Sequence, residues 1–236
     1  MSQSLKFHFA SLADCHQANG VVVVIDVLRA FSTAAYAFGQ GVERILPVRE
    51  PPEALALRDE IPGSLAVGEI NGMPFPGFDL GNSPKQILEA NNLHGRTLIQ
   101  RTSAGVQGII RSRNAETLLA ASFVVAGATA TYLRHINAQQ ITFVSTGLNE
   151  NGRGDEDLAC AEYLRELLLN HQPNPSPYLE RVRTSHEASL FFNRDLPQFP
   201  PEDMEHSTAL DHFNFAMPVR REQGRLVMRA INLTQI

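Results

Sequence analysis

One segment restricts the fold of this chain more than any other. Gly20-Val-Val-Val-Val-Ile-Asp26 is apolar and β-branched until its last residue. A run that short and that apolar suits a β-strand covered on both faces. Good helix formers follow from Ala30 and end on Gly39 and Gly41, as a helix C-terminus should. The alternation then repeats. Strands are expected at 43–48, 64–68, 96–100, 121–126 and 140–145, with Pro47 marking an edge or a strand end. Helices are expected at 51–58, 83–90, 104–113, 129–137 and 155–170, two of them opening on Pro51-Pro52 and Ser83-Pro84. Strand–helix repetition of this kind predicts an α/β fold, a mostly parallel sheet with helices on both faces.

The pattern changes near His171. Pro173, Pro175 and Pro177 punctuate a loop, a helix is expected over 178–193, and Pro197-Gln-Phe-Pro-Pro201 breaks the chain again. Residues 216–231 read as two strands about a Gln223-Gly224 turn. The expected organisation is a core over 1–170 that carries most of the site. A smaller mixed α+β C-terminal portion, 171–236, packs on it.

Composition narrows the function. Hydrophobic residues make up 43% of the chain, enough for a core and too many for disorder. Net charge is -5 and only Lys6 and Lys85 are lysines, so the cations are scattered arginines rather than a basic stripe. No nucleic-acid partner is expected. Arginine forks still suit a small carboxylate, phosphate or sulfonate ligand. The longest uncharged segment, Thr117 to Leu133, is short and interrupted by Ser and Thr, and Met1 to Ala10 lacks a signal-peptide pattern. The expectation is a cytoplasmic protein with no membrane partner; its oligomeric state is left open.

Parallel sheets bind ligands beyond the carboxyl ends of their strands, and four such places carry chemistry. Asp26 ends the first strand and Arg29 begins the next helix; Asp26 either caps that helix or meets a metal or a cation. Glu69 and the loop Gly72 to Pro84, with Asp79 and Asn82, form either a surface loop or a ligand cradle. Arg101-Thr102-Ser103 opens a helix, as an oxyanion cradle or an ordinary N-cap. Thr146-Gly147-Leu-Asn149-Glu150-Asn-Gly152 leads to Asp155-Glu156-Asp157. That triplet either caps its helix or turns inward to hold a hard divalent cation such as Mg²⁺.

Several mechanisms lack their signatures. The chain has no Gly-x-x-x-x-Gly-Lys, no Gly-x-Gly-x-x-Gly after the first strand and no His-Glu-x-x-His. Cys160 stands inside a helix, five residues before Arg165, which is not a cysteine-phosphatase loop. Leu28 replaces the second Asp of the strand-end pair used by aspartyl-phosphate enzymes.

Taken together, these segments resemble the 2-phosphosulfolactate phosphatase family. The matching strings are Val24-Ile-Asp26-Val-Leu-Arg29-Ala-Phe-Ser32-Thr33, Pro47-Val48, Gly68-Glu69 and Gly77-Phe-Asp79-Leu-Gly-Asn82-Ser83-Pro84. Arg101-Thr-Ser-Ala-Gly105 and Glu156-Asp157-Leu-Ala-Cys160-Ala161 also match, with a looser likeness at Pro201-Glu-Asp203 and Asp211. Family members carry a Thr-Thr-Thr-Asn-Gly-Thr-like stretch where this chain has Gln100 to Gly105, and many carry Cys-Ala-Gly at Ser145-Thr146-Gly147.

The resemblance implies an α/β, Mg²⁺-dependent phosphatase acting on a small anionic phosphate ester. The substrate would be (2R)-2-phospho-3-sulfolactate, cleaved to 3-sulfolactate and phosphate, a step toward coenzyme M. Asp26, Arg29, Glu69 and Asp79 would be catalytic. Arg29, Asn82, Arg101, Thr102, Ser103 and Gly147 would bind substrate, and Asp26, Asp79, Glu156 and Asp157 would hold Mg²⁺. The alternatives are a Mg²⁺ phosphatase acting on another phosphorylated organic acid or sugar, and a non-catalytic small-anion-binding protein.

Overall fold

The computed structural model describes residues 5–147 and 153–235. The chain opens with β1 (Lys6–Ser11), a strand additional to those expected, and β2 (Gly20–Ile25). Val22 and Val24 of β2 are buried in one apolar cluster, Val23 and Ile25 in another. An apolar run with no polar alternation is what a strand with two covered faces requires. Next come α1 (Ala30–Gly39), β3 (Arg44–Pro47), α2 (Pro51–Glu60), β4 (Leu65–Gly68), α3 (Pro84–Glu89), β5 (Thr97–Arg101) and α4 (Gly105–Arg111). Ser83 caps α3 by accepting a hydrogen bond from the Gln86 amide at 3.2 Å.

The strand expected at 121–126 lies elsewhere. β6 spans Ala115–Ala121, and Phe123–Val125 form a 3-10 turn leading into α5 (Ala126–His135). The strand AETLLAA is rich in helix formers, but both its flanks are filled by strands, β2 and β8, and that pairing decides its state. β7 (Gln140–Ser145) and α6 (Asp155–Leu168) follow as read. The helix expected over 178–193 divides into α7 (Ser176–Thr184) and a 3-10 turn over Glu187–Phe192, and α8 (Glu202–Ser207) is additional. The hairpin is β8 (Phe215–Glu222) with β9 (Arg225–Met228), followed by β10 (Ile231–Asn232).

The ten strands form one mixed sheet in the order β1-β7-β2-β6-β8-β9-β3-β5-β4, with β10 on β8. It consists of two parallel blocks, β1-β7-β2-β6 and β3-β5-β4. The C-terminal hairpin joins them, pairing antiparallel with β6 on one side and β3 on the other. Pro218 has no amide to give; it falls where the partner of β8 changes from β9 to β10.

Through the hairpin the two blocks run in opposite directions. Sheet twist of roughly 20–25° per strand, accumulated over the steps from β2 to β5, turns those strands through about a right angle. Their carboxyl ends therefore meet at α1, which is buried continuously from Ala30 to Phe38. Asp26, after β2, bonds Gly105, after β5.

Candidate active site

Asp26 joins two helix starts. Its Oδ1 accepts from the Ala30 amide at 2.9 Å and its Oδ2 from the Gly105 amide at 2.8 Å. Gly105 is required for that approach, because a Cβ there would stand 2.6 Å from Asp26 Oδ2. The donors favour the carboxylate, but burial outweighs them and, with the nearby Glu69 charge, pushes Asp26 up to about 6.

The acidic triplet of α6 divides its work. Asp155 turns outward to Arg181 at 2.5 Å. Asp157 turns inward: its Oδ1 accepts from the Val27 amide at 2.8 Å and its Oδ2 from the Gly147 amide at 2.9 Å. It therefore pins the loop after β7 to the loop after β2. Burial and the neighbouring Asp26 hold its carboxyl well above the usual range. Glu156 is 2% exposed, and among the described residues its Oε2 has no hydrogen-bond partner. Burial first, then Asp157 and Glu187, push it up to about 10. The Gly147 amide points into this group; Asn149, Glu150 and Gly152 lie outside the described residues.

Glu69 clamps the turn after β5. Its carboxylate accepts from the Ser103 amide and the Gly72 amide, both at 2.5 Å, and from the Ser103 hydroxyl at 3.2 Å. Gly68, just before it, sits at φ +133 with its missing Cβ 1.8 Å from the Arg101 carbonyl oxygen. Only glycine fits there. Arg101 holds the same turn: it donates to the Glu69 carbonyl at 2.7 Å, the Ser103 hydroxyl at 3.1 Å and the Arg49 carbonyl at 3.3 Å. The Thr102 hydroxyl accepts from the Val106 amide, the ordinary capping role.

Arg29 is buried between the Phe199 ring, 4.5 Å from its guanidinium carbon, and the Phe191 ring, 5.3 Å away. Its Nη1 donates to Asp203 at 2.7 Å and to the Gln198 carbonyl at 2.8 Å. Among the described residues no hydrogen bond occupies its Nε or Nη2. Asp203, fully buried, also accepts from the Ser83 hydroxyl at 2.9 Å and the Lys85 amide at 2.8 Å. It thus ties α1, α3 and α8 together. Asn82, next to Ser83, is buried with its Oδ1 unpartnered among the described residues.

The structure thus brings Asp26, Arg29, Glu69, Glu156 and Asp157 into one electrostatic neighbourhood, in which Asp26 feels Glu69 and Arg29, and Glu156 feels Asp157 and Asp26. It does not bring Asp79 there. The Asp79 side chain is 34% exposed, accepts from the Ala66 amide at 2.8 Å and faces Arg58 at 3.9 Å. Its contacts close the loop onto edge strand β4. Asp203 and Glu187 belong to the neighbourhood without having been singled out from sequence as site residues. Pro201-Glu-Asp203 enters the sequence reading only as a loose likeness to the family, and nothing local signals a bond from Asp203 to Arg29, 174 residues away in the chain.

Comparison with known proteins places the chain in a family. The family model for 2-phosphosulpholactate phosphatase matches residues 7–200. The chain belongs to the 2-phosphosulfolactate phosphatase family. A relative from Bacillus subtilis, named a probable 2-phosphosulfolactate phosphatase, is 35% identical over 201 residues, covering 85% of this chain and 87% of the relative. One of the same name from Carboxydothermus hydrogenoformans is 36% identical over 222 residues, covering 90% and 91%. A third, from Thermotoga petrophila, is 36% identical over 198 residues, covering 77% and 85%. The family match takes in Phe191 and Phe199, which hold Arg29, and stops short of Asp203. No helix among the described residues is long and apolar enough to cross a membrane.

Proposed function

We propose that the protein is a Mg²⁺-dependent phosphatase that hydrolyses (2R)-2-phospho-3-sulfolactate to 3-sulfolactate and inorganic phosphate. The observation that carries this reading is an excess of buried negative charge at the carboxyl ends of the strands. Among the described residues, Asp26, Glu69, Glu156, Asp157 and Asp203 are buried with a single buried arginine, Arg29. Uncompensated charge of this kind is costly unless protons or a cation neutralise it.

No group of three or more His, Cys, Asp or Glu among the described residues is placed to hold a metal ion. The donor chemistry nonetheless fits Mg²⁺, which keeps several waters and takes only one or two protein carboxylates. Glu156, with its unpartnered buried oxygen, and Asp157 would hold it, with Asp26 alongside. Bound there, Mg²⁺ would supply Lewis-acid polarisation of a phosphate oxygen.

The chain's own residues account for the remaining requirements. Arg29, fixed through Nη1 and its two flanking rings, offers Nε and Nη2 to an anionic oxygen in a preset plane. Asp26, titrating near 6, takes the proton of an attacking water at neutral pH and releases it afterwards. Glu69 keeps the Ser103 turn in place beside it. The test is phosphate release from phosphosulfolactate, phosphoglycolate and phospholactate, each with Mg²⁺ and with chelator. Fastest release from phosphosulfolactate, abolished by chelator, is expected. Preference for another ester would move the substrate assignment, and no release from any would leave an anion-binding protein.

A further inference from the structure

Behind the Ser103 turn the structure holds a cleft of about 540 Å³, within the range of small-molecule sites. Four arginines from separate parts of the chain line it: Arg49 after β3, Arg113 after α4, Arg221 on β8 and Arg225 on β9. Its floor is apolar, with Leu57, Ile110 and Leu226. Glu50 and Glu53 stand at one side, and Glu53 is engaged by the Arg49 amide at 3.1 Å.

The charges there are mostly uncommitted. Among the described residues the side chains of Arg49 and Arg113 make no hydrogen bond or ion pair, and Arg221 makes a single hydrogen bond, to the Gly224 carbonyl at 2.9 Å. Only Arg225 is paired, to Glu60 at 2.9 Å. A smaller adjoining cavity of about 370 Å³ shares Arg113 and Arg221 and adds Arg220 and one carboxylate, Glu116. In a chain of net charge -5, unpaired arginines around one concavity repel one another. An anion placed between them relieves that repulsion with forked, charge-assisted hydrogen bonds.

We propose that this cleft binds a small organic anion carrying at least two sulfonate, phosphate or carboxylate groups on an apolar body. The apolar floor takes the body and the arginines take the charges. The cleft is wired to the neighbouring turn: the Arg49 carbonyl accepts from Arg101 Nε at 3.3 Å and from Gln107 Nε2 at 3.1 Å. Arg101 in turn holds the Glu69 carbonyl and the Ser103 hydroxyl.

The probe is benzene-1,3-disulfonate, a dianion that is neither a phosphate ester nor a strong Mg²⁺ chelator. Its binding to the full chain is measured by calorimetry, with benzenesulfonate as the monoanionic control. The wild type should bind the dianion at least tenfold more tightly than the monoanion. The double variant R113S/R221S, altered at two exposed positions, should lose at least tenfold in affinity while keeping the wild-type rate of phosphate release without probe. Asp26→Asn should bind the dianion as the wild type does, which separates this cleft from the proposed catalytic site. Ile110→Glu, placing a carboxylate on the floor, should also abolish binding. The proposal is overturned by no binding at 10 mM probe, by R113S/R221S and Ile110→Glu binding as the wild type does, or by Asp26→Asn alone losing the dianion.

Discussion

Replacing Glu156 by Gln should move the stability of the metal-free protein in the variant's favour as pH rises. The carboxyl is held at about 10 in the fold, against an ordinary value of 4.5. A carboxyl with a raised folded value is neutral on both sides of the unfolding equilibrium in acid. Above pH 4.5 only the unfolded chain ionises it, so folding loses ~1.4 kcal/mol per pH unit until the folded value is reached. At pH 7 that cost is about 3 kcal/mol, and at pH 8 about 5 kcal/mol. Glutamine escapes it. Its amide carries a separate, pH-independent cost of about 1–3 kcal/mol if its buried donors find no partner, so the slope decides the matter and the offset does not. The assay is urea unfolding in chelator at pH 6, 7 and 8, with wild type and variant fitted to a common m-value. The stability difference should move in the variant's favour by ~1.4 kcal/mol per unit of pH, and Mg²⁺-dependent activity should fall at least a hundredfold. A difference that stays flat with pH would show that Glu156 is ionised in the fold and that the buried-acid argument is wrong.

Mg²⁺ should raise Tm more at pH 8 than at pH 6, because protons held on Asp26, Glu156 and Asp157 compete with the cation as pH falls; an equal or reversed shift in calorimetric scans counts against a carboxylate-bound ion. Asp203→Asn leaves the buried Arg29 without its counter-charge and should cost roughly 3–5 kcal/mol in chemical denaturation, whereas a loss below 1 kcal/mol would mean that Arg29 finds another partner. Asp79→Asn removes only the charge behind the loop contacts to the Ala66 amide and Arg58, both partly exposed, so it should cost at most about 1 kcal/mol and leave kcat within twofold; a large fall in kcat would put Asp79 back among the catalytic groups.

The parallel blocks were legible because β2 and β7 are apolar runs whose state depends on little beyond their own composition. β6 was not. The more β-branched string Ser122-Phe-Val-Val125 competes with it, and Ala115–Ala121 becomes a strand only through its neighbours β2 and β8. In the site, Asp26, Glu69 and Asp157 could be nominated because each falls just beyond a strand or at a helix start. Asp203 shows in the sequence only as a loose family likeness with no role attached, since what it does consists of contacts to Arg29, Ser83 and Lys85, more than a hundred residues away. Asp79 belongs to the most distinctive string in the chain, yet its side chain turns to the backbone of β4. A distinctive local pattern marks a loop that must take one conformation, which can serve its own closure as well as a ligand.

The placement of the C-terminal hairpin bears on how the chain reaches its fold. Until β8 and β9 emerge from the ribosome, β6 and β3 each present an open row of amides and carbonyls, the template on which strands of other molecules pair. A nascent or truncated chain ending before Phe215 would hold two half-sheets with no seam between them, and aggregation rather than slow loss of activity would be its fate.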